Sequence, residues 1–201
     1  MKHLNKKYVL FLTLVMGMAF LNPQGHLLAE NKELEEFDEH AAVMTGEIRD
    51  YFIQGNDYLR NGQYKLAIET FERLVEKNPH YAKVYDNLAT AYYRIGQAQK
   101  AIFNFQKSIQ LDPLSAVPYQ GLGIVYGEMG QYQEALLSFQ KAVEIDGNYV
   151  YAYQGLGTAC FYLNKYAEAK ENLQKAKDLF NRQGDYKSAD EIGDLIKRIP
   201  R

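Results

Sequence analysis

Along most of the chain, apolar residues recur every three or four positions, the spacing of amphipathic helices, and the stripes break at regular places. Gly62, Gly96, Gly130 and Asn164 stand 34 residues apart. A second set of breaks has the same spacing, at Asn78-Pro79, Asp112-Pro113, Gly147 and Asn181. Two apolar stripes fall in each period, so the pattern predicts pairs of helices joined by tight turns.

At a shift of 34 the chain superposes on itself in four copies, 48–81, 82–115, 116–149 and 150–183. An aromatic stands fourth in each, as Tyr51, Tyr85, Tyr119 and Tyr153. The eighth place holds Gly55, Ala89, Gly123 and Gly157, and the twentieth Ala67, Ala101, Ala135 and Ala169. Small residues therefore recur where two helices approach closely. The twenty-fourth place holds Phe71, Phe105, Phe139 and Leu173.

This pattern resembles the tetratricopeptide repeat, a helix-turn-helix unit of 34 residues, most closely in Tyr119, Leu122, Gly123, Tyr126, Gly130, Ala135, Phe139 and Ala142. Gln54 departs from it in the first copy, Gly147 and Asn181 replace the terminal proline, and Cys160 and Leu173 replace aromatics in the fourth. The resemblance implies an all-α fold: a right-handed superhelical solenoid of antiparallel helix pairs. Such units bury too little surface to stand alone, so neighbours supply the core and the ends need caps.

The run 186–199 places Tyr186, Ala189, Ile192, Leu195, Ile196 and Ile199 on one helical face, as a C-terminal cap within 184–201. Before the array, 30–46 is acidic at its start, and Leu34, Phe37, Ala41, Met44 and Ile48 follow helical spacing. This stretch predicts an amphipathic helix that either covers the first copy or binds a partner. Residues 1–29 read as an export signal, with Lys2, Lys6 and Lys7 ahead of an uncharged apolar run over 8–21. That run is shorter than the roughly 20 residues that span a bilayer. Cleavage after Ala29 is the expectation, with a periplasmic or secreted address; retention would make it an inner-membrane anchor.

Composition adds exclusions. The 201 residues are 47% hydrophobic and 24% charged, as in folded globular proteins. Beyond residue 29 the chain carries 20 basic and 25 acidic side chains, a formal charge of −5, which argues against a nucleic-acid partner. Cys160 is the single cysteine, so no internal disulfide forms.

Catalytic and metal chemistry find little footing. Gly121-Leu122-Gly123 and Gly155-Leu156-Gly157 are reminiscent of a phosphate loop, yet both lie within helical stripes and lack the strand that a dinucleotide fingerprint needs. Close helix packing is the expected reason for Gly123 and Gly157, while Gly121 and Gly155 have no explanation in the sequence. Glu33, Glu36 and His40 share a helix face with metal-ligand spacing, but a solvated acidic face accounts for them. Cys160 lies on an apolar stripe without a histidine near it in sequence. No enzyme class, cofactor or metal is expected.

The family resemblance implies a concave groove lined by the first helix of each copy. Carried over by position, the groove residues are Arg49, Phe52, Asn56, Leu59 and Arg60; Lys83, Asp86, Thr90, Tyr93 and Arg94; Val117, Gln120, Ile124, Gly127 and Glu128; and Tyr151, Gln154, Thr158, Phe161 and Tyr162. The first two sets are cationic apart from Asp86, and the last two are apolar and aromatic apart from Glu128. The expectation is a non-catalytic scaffold that holds a protein or peptide segment, acidic towards the early copies and apolar towards the late ones. Asn56 and Asn87 match the family's carboxylate clamp, but Phe52, Val117 and Gly121 occupy its cationic places, so that clamp is not expected. Two other readings stand beside this one: recognition of a cell-wall glycan by Tyr151, Phe161 and Tyr162, and self-association through 30–46.

Overall fold

The computed structural model describes residues 46–200; residues 1–29, read as an export signal, and all of the 30–46 stretch except Gly46 lie outside the described residues. The described residues form nine α-helices and no strand. They are α1 (Gly46–Arg60), α2 (Tyr64–Lys77), α3 (Ala82–Arg94), α4 (Ala98–Leu111), α5 (Ala116–Glu128), α6 (Tyr132–Ile145), α7 (Val150–Tyr162), α8 (Tyr166–Arg182) and α9 (Tyr186–Arg198). Each helix packs on the next, and the odd-numbered α1, α3, α5 and α7 also touch one another in turn. Their even-numbered partners do not touch one another, so among the described residues the stack is an α-solenoid bent with the odd helices inside.

The turns explain the first set of sequence breaks. Gly62, Gly96, Gly130 and Gly184 have φ between 72° and 80°, and Asn164 has φ 59°. Behind each, the amide of Gln63, Gln97, Gln131, Asp185 or Lys165 donates to the carbonyl five residues earlier, at 2.8–3.0 Å. This is the Schellman closure, which needs a left-handed residue and so favours glycine or asparagine. In the links between copies, Asn78, Asp112 and Asp146 accept the amide two residues on, at 3.4, 3.1 and 2.9 Å. The fourth copy has Phe180 at that place. The break expected at Asn181 therefore does not occur: α8 continues to Arg182, with Phe180 buried and edge-on to Tyr151 at 5.8 Å.

The core repeats with the sequence. Ala67, Ala101, Ala135 and Ala169 are buried against Phe71, Phe105, Phe139 and Leu173, which are 0–5% exposed. A Cβ at Gly55, Gly123 or Gly157 would lie 2.5–2.6 Å from the Phe71, Phe139 or Leu173 of the same copy. Gly121 and Gly155 now find their reason in the neighbouring copy. A Cβ on Gly121 would lie 2.3 Å from the Phe105 ring, and one on Gly155 would lie 2.5 Å from the Phe139 ring. Phe139 is thus wedged between Gly123 of its own copy and Gly155 of the next. At the end of the array, α9 buries Ala189 and Ile192 against α8, and Ile199, the residue after it, joins the same core. Tyr186 and Leu195, expected on that face, stay 67% and 44% exposed.

Gly121→Ala and Gly155→Ala are each expected to destabilise the array by ~1–2 kcal/mol, because the clash with a buried ring exceeds the ~1 kcal/mol that alanine gains in a helix. Gly130→Ala meets open space and is expected to cost about 1 kcal/mol through backbone strain alone. Urea unfolding at constant m measures both; a Gly155→Ala variant more stable than wild type would show that Phe139 has room to yield.

Candidate functional site: a pocket on the inner face

Inward-facing residues differ from copy to copy, and the twelfth place matters most. It holds Leu59, Tyr93, Gly127 and Phe161 in succession. Where Gly127 leaves its side chain out, a cavity of about 590 Å³ opens between α5, α6 and α7. Phe139 lies at its base, beside Gly123 and Gly155, and Ile124 adds an apolar wall. Tyr132 and Tyr162 stack at 4.4 Å with an interplanar angle of 6°. Glu128 is the only charged residue of the lining.

Glu128 is held from the preceding copy, since the Tyr93 hydroxyl donates to its carboxylate. Burial of the phenol, with that hydrogen bond and the carboxylate charge added, pushes Tyr93 up to about 12 while Arg94 acts in the opposite sense. The ring therefore stays a donor at physiological pH. The Thr158 hydroxyl, also on the lining, donates to the Gln154 carbonyl at 3.0 Å.

Eight of the groove residues carried over by position, Gln120, Ile124, Gly127, Glu128, Tyr151, Gln154, Thr158 and Tyr162, line this cavity. Phe161 does not: it turns from the cavity to the rings of Tyr162 and Tyr166, which divides the aromatic trio expected for a glycan. Val117 is exposed outside the lining. Tyr132 was missed because it lies on a second helix. The sequence does hold a signal for it, as the seventeenth place is Tyr64, Ala98, Tyr132 and Tyr166.

The earlier copies offer a different surface. Arg49, Lys83 and Arg94 are exposed, and so is Arg60, whose guanidinium donates to Asp57. Leu59 and Thr90 are half-buried, with the Thr90 hydroxyl donating to the Asp86 carbonyl at 2.9 Å. Phe52 is half-buried against Tyr81 and Phe71, at 5.3 and 6.5 Å between ring centres, so it serves the core as much as the groove. The Asn87 amide donates to Asn56 at 2.6 Å, tying α1 to α3.

Asp86 departs from expectation most. It is 7% exposed and presents nothing to the groove. Neither its Oδ1 nor the buried Ser108 Oγ completes a hydrogen bond of normal length. Burial lifts the carboxyl from 3.8 to about 7, against the weaker pull of the Ser108 hydroxyl and Lys83 and with a further push from Asp112.

Tetratricopeptide repeat profiles match residues 54–116, 116–149 and 150–182, in continuous succession over more than half of the chain. The chain belongs to the tetratricopeptide repeat family. Among solved structures, MamA from Desulfovibrio magneticus RS-1, from its residue 41 to the end, is similar over 77% of this chain and 95% of its own, with 22% identity and a TM-score of 0.63. A MamA RS-1 double mutant matches over 77% and 94%, at 21% identity and a TM-score of 0.62. Another MamA crystal structure matches over 73% and 88%, at 21% identity and a TM-score of 0.57. At these identities the likeness is one of fold. None of the curated proteins matches the chain.

The Asp86 carboxyl makes the stability of this tetratricopeptide array pH-dependent. Its folded pKa is raised, so its ionisation penalty is absent below about pH 4, grows between pH 4 and 7, and is complete above. A shift from 3.8 to about 7 corresponds to ~4 kcal/mol at most. Asp86→Asn is expected to raise stability by up to that amount above pH 7 and to lose its advantage towards pH 4. Paired urea titrations across this window measure the difference; a constant difference at every pH would contradict it.

Proposed function

We propose that the array is a non-catalytic interaction scaffold of the cell envelope that holds a segment of a protein partner along its inner face. The carrying observation is the 590 Å³ cavity, within the size range of sites that enclose ligand groups. It combines tyrosines with a few polar groups, the composition of interface anchor points. Towards α1 and α3 the same face carries Arg49, Arg60, Lys83 and Arg94, so the segment is acidic at that end. The export signal read in residues 1–29 supports the envelope address.

Gly127 provides a clean test, because a Cβ there meets only Ala135 at 3.9 Å. Gly127→Leu is expected to fold with equal or greater stability, gaining up to ~1 kcal/mol of helix propensity, while its side chain occupies the cavity. A photo-crosslinking residue at Thr158 in living cells is expected to trap a discrete partner that the same residue at the outward Gln140 does not trap, and Gly127→Leu is expected to abolish the adduct. A partner trapped equally from both faces, or unaffected by Gly127→Leu, would sink the groove as its seat. For the address, the mature protein is expected to begin at Glu30 by mass spectrometry of the envelope fraction; a cytoplasmic chain that retains Met1 refutes it.

A further inference from the structure

The cavity's chemistry is narrower than an apolar slot. Its lining holds one carboxylate, Glu128, together with Tyr132, Tyr151 and Tyr162 and no basic side chain. Among the described residues no cation pairs with Glu128, whose one hydrogen bond comes from the Tyr93 hydroxyl. Tyr93 cannot neutralise that charge, since its phenol keeps its proton.

Three kinds of occupant compete. An acidic side chain would meet Glu128 without a compensating cation. A purely apolar one would strip water from the carboxylate and return nothing to it, which is costly for any charged group. A long basic side chain satisfies both halves of the lining. Its aliphatic stem lies along Ile124 and Phe139, as such stems do on apolar surfaces. Its charged end meets Glu128 and the electron-rich faces of tyrosine rings. We infer that the cavity takes a lysine or arginine side chain of the bound segment.

Position supports the same answer. The thirteenth residues of the copies are Arg60, Arg94, Glu128 and Tyr162, so the row changes from positive to negative between the second and third copies. A segment lying along the row must change sign in the opposite sense, from acidic beside Arg60 and Arg94 to basic at Glu128. This refines the apolar end expected from sequence alone and rests on the groove reading above.

The test uses the full-length chain and the N-acetyl amides of lysine, arginine, norleucine and glutamate, with the ring signals of Tyr132 and Tyr162 followed by NMR. The lysine and arginine amides are expected to shift both rings saturably and to bind on the order of tenfold more tightly than norleucine, which has an aliphatic side chain and no charge. Glu128→Gln, an exposed and conservative change, is expected to erase that advantage, because the cationic amides lose their partner and norleucine no longer strips water from a charge. Norleucine binding as tightly as lysine to the wild-type chain overturns the inference and leaves the groove as a site. No saturable shift from any amide also overturns it, and the groove reading is then decided by the Thr158 crosslink, which does not depend on charge.

Discussion

Everything in this array depends on one packing event repeated along it: a large residue of the second helix driven against backbone that carries no side chain. Phe139 is the fullest case, with ring atoms 2.5–2.7 Å from where Cβ atoms of Gly123 and Gly155 would stand. One ring thereby joins its own helix pair and clamps the next. Glycine costs about 1 kcal/mol in a helix relative to alanine, and contact over a buried aromatic face offsets it. Since no copy buries a core alone, the clamps at Gly121 and Gly155 join the second, third and fourth copies, while the Asn87–Asn56 hydrogen bond ties the first to the second.

The same packing explains where the cavity lies. The glycines that admit Phe139 also strip the inner surface beside it, and Gly127 removes the side chain that elsewhere covers this place as Leu59, Tyr93 or Phe161. One copy earlier, Tyr93 is present and reaches forward to Glu128. Scaffold and cavity are thus built from the same omissions, one set used for clamping and one left open.

How far the sequence foretold this follows from which contacts are local. The helix pairs, the small eighth and twentieth places and the turns at Gly62, Gly96, Gly130 and Asn164 were legible, because a left-handed backbone or a helical stripe constrains residues near in sequence. Gly121 and Gly155 were not, since their partners Phe105 and Phe139 belong to the preceding copy. Tyr132 escaped because the groove was expected on first helices alone. The burial of Asp86 escaped because its counterparts Phe52, Gln120 and Gln154 all stay half-buried. The length of α8 was readable in retrospect: Phe180 replaces the side chain that caps the three earlier links.

The omission at Gly127 also makes the array modular in a practical sense. The cavity opens where glycine takes the twelfth place of a period, on a backbone whose within-copy turns close alike in every copy. The same omission moved to Tyr93 would open the inner face one copy nearer Arg60 and release Glu128 from its donor, so the place of the cavity is a matter of which copy lacks a side chain. Moving the cavity then requires no change of fold, only the migration of a gap along a fixed ruler.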